Sequence, residues 1–215
     1  MRRVIRAGLA VTVLATALTA LTGTAVASST TSCTGTLSAG TYGRVVVPAG
    51  AVCLSDGPVT VRGGVYIQAG ATFVLGSEES TNTGTISGGV HATDAANVQI
   101  HFATINGGVD IHGGAGPFGP PFDVTFNTIE DNRINGGATI EGYDGFWMGF
   151  IRNTVNGSVN LSDNVLVDPD GNEYVTNTIH GSLNCTGNSP APQIGDSEGE
   201  PNNVTGAKTG QCAAV

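Results

Sequence analysis

Apolar and polar residues alternate along this chain in short runs, and the runs return behind a glycine. Val61-Arg62-Gly63-Gly64-Val65-Tyr66-Ile67 is followed by Ile86-Ser87-Gly88-Gly89-Val90-His91-Ala92 and Ile105-Asn106-Gly107-Gly108-Val109-Asp110-Ile111. The phrase returns around Gly136, Gly157 and Gly181, so its first glycines fall 25, 19, 29, 21 and 24 residues apart. Period-two alternation marks a strand with one buried face, and recurrence every twenty-odd residues marks a solenoid with one coil per repeat. No stretch beyond the first residues carries a helical period. The fold class expected is all-β, a parallel β-helix with one coil per ~19–29 residues.

Stacked in register, the apolar positions Val65, Val90, Val109, Ala138, Val159 and Leu183 would fill an interior shaft. The polar positions would form two outer columns. One runs Tyr66, His91, Asp110, Thr139, Asn160, Asn184; the other runs Gln68, Thr93, His112, Glu141, Ser162, Thr186. A second phrase places Asn127, Asn153 and Asn177 at equivalent points of successive coils. Asn tolerates left-handed backbone and bonds locally, which suits a bend between sheets, and stacked amides can bond along the axis.

The coil length, the stacked Val and Ile positions and the Asn bends resemble the right-handed parallel β-helix of the pectate-lyase-like group. The closing segment, Gly181-Ser182-Leu183-Asn184-Cys185-Thr186-Gly187-Asn188 through Pro190-Ala191-Pro192 to Thr209-Gly210-Gln211-Cys212, is similar to the end of exported actinobacterial proteins of unassigned function. The resemblance implies a fold and a compartment rather than a reaction.

The first residues read differently from the rest. Arg2, Arg3 and Arg6 precede an uncharged apolar stretch from Ala7 to Leu21, and Ala25-Val26-Ala27 is a small-x-small triplet. This predicts an export leader over residues 1–27, a single solenoid domain over 28–215, and a secreted, extracellular product with no membrane attachment after cleavage. The remaining chain holds Arg44, Arg62, Arg133, Arg152 and Lys208 against all 17 acidic residues, a formal charge of −12. Such a surface repels nucleic acid and anionic membranes, and acidic polysaccharides unless a cation bridges them. Four cysteines in an exported chain predict two disulfides. Three pairings are open; Cys33 with Cys53 and Cys185 with Cys212 each span about one coil near an end of the solenoid, where capping is needed. No CxxC pair suggests a metal site, Asp168-Pro169-Asp170-Gly171-Asn172-Glu173 lacks the full calcium-loop spacing, and no cofactor is expected.

Three segments interrupt the period: Gly113 to Phe122, Gly142 to Phe150, and Asp168 to Glu173. Leaving one corner, they would line one side of the solenoid. Tyr143, Phe146 and Trp147, with Phe118 and Phe122, either form an exposed aromatic platform for sugar rings or fold back and seal a side of the solenoid, with His91 a further ligand-binding candidate. The outer columns bring Thr93, His112 and Glu141 into line, and Asp110 beside His91. A hydroxyl, an imidazole and carboxylates so arranged are the catalytic candidates, as attacker, base and orienter. The function expected is that of a binding or surface protein, monomeric, whose partner is an extracellular polysaccharide. The alternative is a polysaccharide lyase, hydrolase or esterase, for which Arg133 and Arg152 are the candidate bases and Asp110 with Glu141 the candidate carboxylate pair.

Overall fold

The computed structural model describes residues 29–114, 122–195 and 199–215. The expected leader over 1–27, Phe118 and most of the Gly113–Phe122 segment lie outside the described residues.

The chain winds as a parallel β-helix. Its strands form three sheets of nine, seven and eight strands, and every pairing between strands is parallel. Each central coil gives one strand to each sheet; Val109–His112, Phe126–Glu130 and Arg133–Ile134 make one such turn. In the first sheet Val65, Val90, Val109, Ala138, Val159 and Leu183 are register partners and all are buried, as the alternation requires. The second sheet adds Phe73, Leu75, Ile100, Ile129, Phe150 and Tyr174 to the same core.

The recurring glycine has a steric cause. A Cβ on Gly88 would lie 2.5 Å from the carbonyl carbon of Gly63, and one on Gly181 would lie 2.6 Å from that of Gly157. Backbones of consecutive coils meet at this turn, so only a residue without a side chain fits. The following position is looser and accepts Ser158 and Ser182.

The bends between the second and third sheets carry an amide ladder through Asn132, Asn153, Asn177 and Asn202. In each step the lower backbone N–H donates to the Oδ1 of the next Asn at 2.8–3.1 Å. The side-chain amides also donate inward, Asn153 Nδ2 to the Ile129 carbonyl at 2.7 Å and Asn177 Nδ2 to the Phe150 carbonyl at 2.7 Å. The expected member Asn127 is replaced by Asn132. Counted back from the glycine, Asn132 stands where Asn153 and Asn177 stand; Asn127 lies inside the strand Phe126–Glu130, opposite Met148. The residue before each ladder position bends through left-handed backbone: Asp131, Arg152 and Thr176 have φ of 56°, 53° and 59°.

Both ends are tied. Cys33 bonds Cys53 and Cys185 bonds Cys212, the two pairs that join neighbouring coils. Disulfides of this kind persist in an oxidising compartment. At the C-terminal end the 3-10 turn Gln211–Ala214 folds against the last coil and buries Cys212. Among the described residues no helix is long and apolar enough to cross a membrane.

The three interruptions do share a corner. They fall between His112 and Phe126, between Glu141 and Trp147, and between Ser162 and Asn172, each time where the chain passes from first sheet to second. A further departure, between Leu75 and Gly84, leaves the opposite margin of the second sheet. The second sheet therefore lies between two sets of loops, which encloses its outer surface more than that of the first.

Candidate functional site

The outer columns of the first sheet assemble as their spacing predicts. His91 pairs with Asp110, Asp110 with Thr139, Thr93 with His112, and His112 with Glu141. The His112 imidazole sits between two carboxylates, its Nε2 at 2.9 Å from Asp110 Oδ1 and its Nδ1 at 3.6 Å from Glu141 Oε2. His91 Nδ1 is 3.9 Å from the other Asp110 oxygen. The stack continues upward, with Tyr66 parallel to His91 at 5.1 Å and the Arg44 guanidinium 4.7 Å above the Tyr66 ring.

What this arrangement lacks is enclosure and an attacker. Thr93 is aligned with His112 through the backbone but makes no hydrogen bond to the imidazole. The side chains of His91, Asp110, His112 and Glu141 are 41–49% exposed on a flat strand surface. Carboxylate–imidazole contacts so wetted are worth at most about 1 kcal/mol of stability. None of the concavities described next is lined by them.

The aromatic platform does not form as one unit. Tyr143 is fully buried, its hydroxyl donating to the Ala96 carbonyl at 2.9 Å and its backbone N–H to Asn164 Oδ1 at 3.0 Å. Burial pushes its phenol pKa well above the ordinary value. Tyr143 thus packs the first corner instead of presenting a ring to solvent. His91 stands on the first sheet, apart from Trp147 on the second. Phe146 and Trp147 remain half-buried at the surface.

Trp147 opens the strand Trp147–Ile151 and pairs with Phe126 on the coil before. Its indole lies along the strand over Gly149: a Cβ on that glycine would come within 2.3 Å of indole Cη2. The missing side chain therefore seats the ring. Trp147 and Phe126 border a groove with a cavity volume of about 440 Å3, whose floor includes Thr128 and Glu130 and whose wall includes Glu78. A second cavity of about 470 Å3 lies on the other side of Phe126, with Gln99, His101, Glu79 and Phe122 around it. The Phe122 and Phe126 rings meet edge to face at 5.0 Å. Glu78, Phe126 and Thr128 border both cavities, so the two form one furrow along the second sheet.

A polar network crosses this furrow. Arg152 holds Asp131 through Nε and Nη2 at 2.9 Å each, and its Nη2 also bonds Glu130. The hydrogen bonds that Arg152 donates to Asp131 foremost, then the charges of Glu130 and Asp131, raise the Arg152 pKa. These contacts favour its cationic form. His101 Nδ1 lies 3.4 Å from Glu130 Oε2 without hydrogen-bond geometry. Both side chains are buried, His101 at 4% and Glu130 at 4% exposure. Glu173, the register partner of Gly149, also borders the groove. Among the described residues no three His, Cys, Asp or Glu side chains converge as a metal would require.

Most of these furrow residues were not singled out by the sequence reading, which took its columns from the residues after each glycine. The missing signal lies before the Asn ladder. Two, four and six residues back from Asn132 stand Glu130, Thr128 and Phe126; from Asn153, Ile151, Gly149 and Trp147; the same counting from Ala103 reaches His101 and Gln99. Those are the outward positions of the second sheet. Compared with protein-family models, with curated proteins and with solved structures, the chain matches none.

Proposed function

We propose that this is a secreted glycan-binding protein whose ligand lies in the furrow over the second sheet. The observation that carries the reading is the pair of neighbouring surface rings, Trp147 seated over Gly149 and Phe126 beside it, along a furrow floored by hydrogen-bonding side chains. Sugars offer an apolar ring face to aromatic side chains and hydroxyls to polar ones, and a furrow running across the coils suits an extended polymer. The leader-like first residues and the two disulfides support export. The resemblance to exported actinobacterial β-helices of the pectate-lyase-like group supports an extracellular polysaccharide as partner of a monomeric chain. The excess of acid over base supports neither nucleic acid nor membrane as partner.

The test is calorimetric titration of the purified chain with soluble neutral, amino and acidic oligosaccharides, repeated with Trp147→Ala. Saturable binding to at least one class, weakened by the substitution, is the expected result. Absence of binding to every class, or binding indifferent to Trp147, contradicts the proposal.

A second reading, glycoside hydrolysis, has one observation in its favour: Glu130 and Glu173 border the same groove. Paired carboxylates are the requirement for that reaction. A lyase is disfavoured because Arg152, the base candidate within the furrow, is held as a cation by Asp131 and Glu130. Reducing ends released from a bound oligosaccharide, and abolished in Glu130→Gln, would favour the hydrolase over simple binding.

A further inference from the structure

Among the described residues the furrow is acidic, and the guanidinium that borders it is engaged by carboxylates. Glu78 and Glu130 border the groove with Arg152, and Glu79 joins Glu78 around the second cavity. Arg152 gives its Nε and Nη2 to Asp131 and Glu130, so its charge is balanced by the two carboxylates it holds. A uronate entering here meets like charge. An ammonium meets the opposite charge.

A second observation points to a ligand in the same place. Gln99 is 6% exposed, borders the second cavity with Glu78 and Glu79, and its Nε2 has no hydrogen-bond partner. Buried amide donors are nearly always satisfied, and one left open beside a cavity is a donor awaiting an oxygen. The edge-to-face rings of Phe122 and Phe126 supply an apolar wall to the same space. Donor, apolar wall and two surface carboxylates together fit one sugar residue carrying an amine.

We propose that the cavity beside Phe126 is a subsite for a hexosamine with a free amino group. Its ammonium lies against Glu78 and Glu79, and a hydroxyl or ring oxygen accepts from Gln99 Nε2. The inference deepens the glycan-binding reading and rests on it. Glu78 and Glu79 are exposed on the segment that follows Leu75, so replacing them leaves the core untouched.

The experiment titrates the full chain with four tetrasaccharides: glucosamine, N-acetylglucosamine, glucose as cellotetraose, and galacturonate with and without calcium. At low ionic strength the glucosamine tetramer is expected to bind about fivefold more tightly than cellotetraose, the gain of one well-placed ion pair at the protein surface. The gain is expected to vanish at about 1 M salt, where charges are screened beyond ~3 Å. Glu78→Gln with Glu79→Gln is expected to bring the glucosamine and cellotetraose affinities to within twofold of each other at low salt, and a fivefold preference that persists in this variant overturns the subsite. Equal affinity for glucosamine and cellotetraose tetramers, tighter binding of the N-acetylated one, or preferred binding of galacturonate with or without calcium each overturns the hexosamine subsite and leaves the glycan furrow standing. Failure of all four to bind overturns both.

Discussion

Gly149→Ala separates the seat of Trp147 from the strand that carries it. The added Cβ would stand 2.3 Å from indole Cη2 and 2.9 Å from both Cζ3 and Ile151 Cδ1, the flexible end of its side chain, against an ordinary contact of 3.4–4 Å. The ring must therefore move by about 1 Å or more at its far end. The backbone needs no such change, since Gly149 lies within the strand Trp147–Ile151 and outside the left-handed region. Alanine also relieves the entropic cost of a strand glycine, about 0.5–1 kcal/mol, so the fold is expected to hold. Binding is where the loss appears. Stacking geometry contributes about 0.5–1.5 kcal/mol, and a sugar face covering ~50 Å² of indole adds about 1.3 kcal/mol at ~25 cal/mol/Å². Losing both amounts to about 2 kcal/mol, roughly a thirtyfold weaker dissociation constant. The assay is calorimetric titration beside the emission spectrum of the sole tryptophan. Glycan affinity within twofold of the unmodified chain, in a variant whose emission shows the ring has moved, would refute the reasoning.

Other expectations follow from the same contacts. Asn153→Ala removes the acceptor of Asn132 N–H and the donor to the buried Ile129 carbonyl, at a cost of about 3 kcal/mol, whereas Asn135→Ala breaks only the exposed amide stack with Asn106 and Asn156 and costs under ~1 kcal/mol. Urea midpoints of the two variants check this, and equal losses would sink it. Desolvation raises the phenol pKa of Tyr143 and Tyr174 above the unfolded value near 10, so stability is unaffected below ~pH 10 and falls as pH rises beyond it, by about 1.4 kcal/mol per pH unit for each tyrosine. Denaturation midpoints unchanged from pH ~9 to ~11 would contradict it. Replacing Cys185 and Cys212 by Ser removes the closure of a 27-residue loop, worth about 3 kcal/mol by chain entropy, and is expected to speed amide exchange in Leu183–Thr186 before the central coils. His112→Ala is expected to leave glycan affinity within twofold, because its column stands on the first sheet; a tenfold loss would move the site there.

Much of the architecture was legible because a solenoid repeats its demands. The glycine turn recurs for steric reasons, and the residues after it alternate in a fixed register, so the columns from Tyr66 to Asn184 and from Thr93 to Thr186 could be written from the sequence and are found as register partners. The second sheet was harder to read. Corner insertions of variable length separate it from the glycine, so counting forward from Gly107 loses the frame by the time it reaches Phe126. Asn127 entered the wrong column for that reason. Tyr143 could be read either way: an aromatic in a Gly-rich corner can face solvent or seal the fold, and only the contact of its hydroxyl with the Ala96 carbonyl, 47 residues earlier, decides for sealing. The network of His101, Glu130, Asp131 and Arg152 joins side chains from three successive coils, one pair of them through left-handed corners, and no local pattern announces it.

The most direct test asks whether a bound glycan covers Trp147. Iodide quenching of its fluorescence would be measured with and without a saturating oligosaccharide already shown by calorimetry to bind. The furrow account predicts that the glycan shields the half-buried indole and lowers the quenching constant severalfold. Calorimetric saturation with quenching unchanged would place the ligand elsewhere on the solenoid and contradict it.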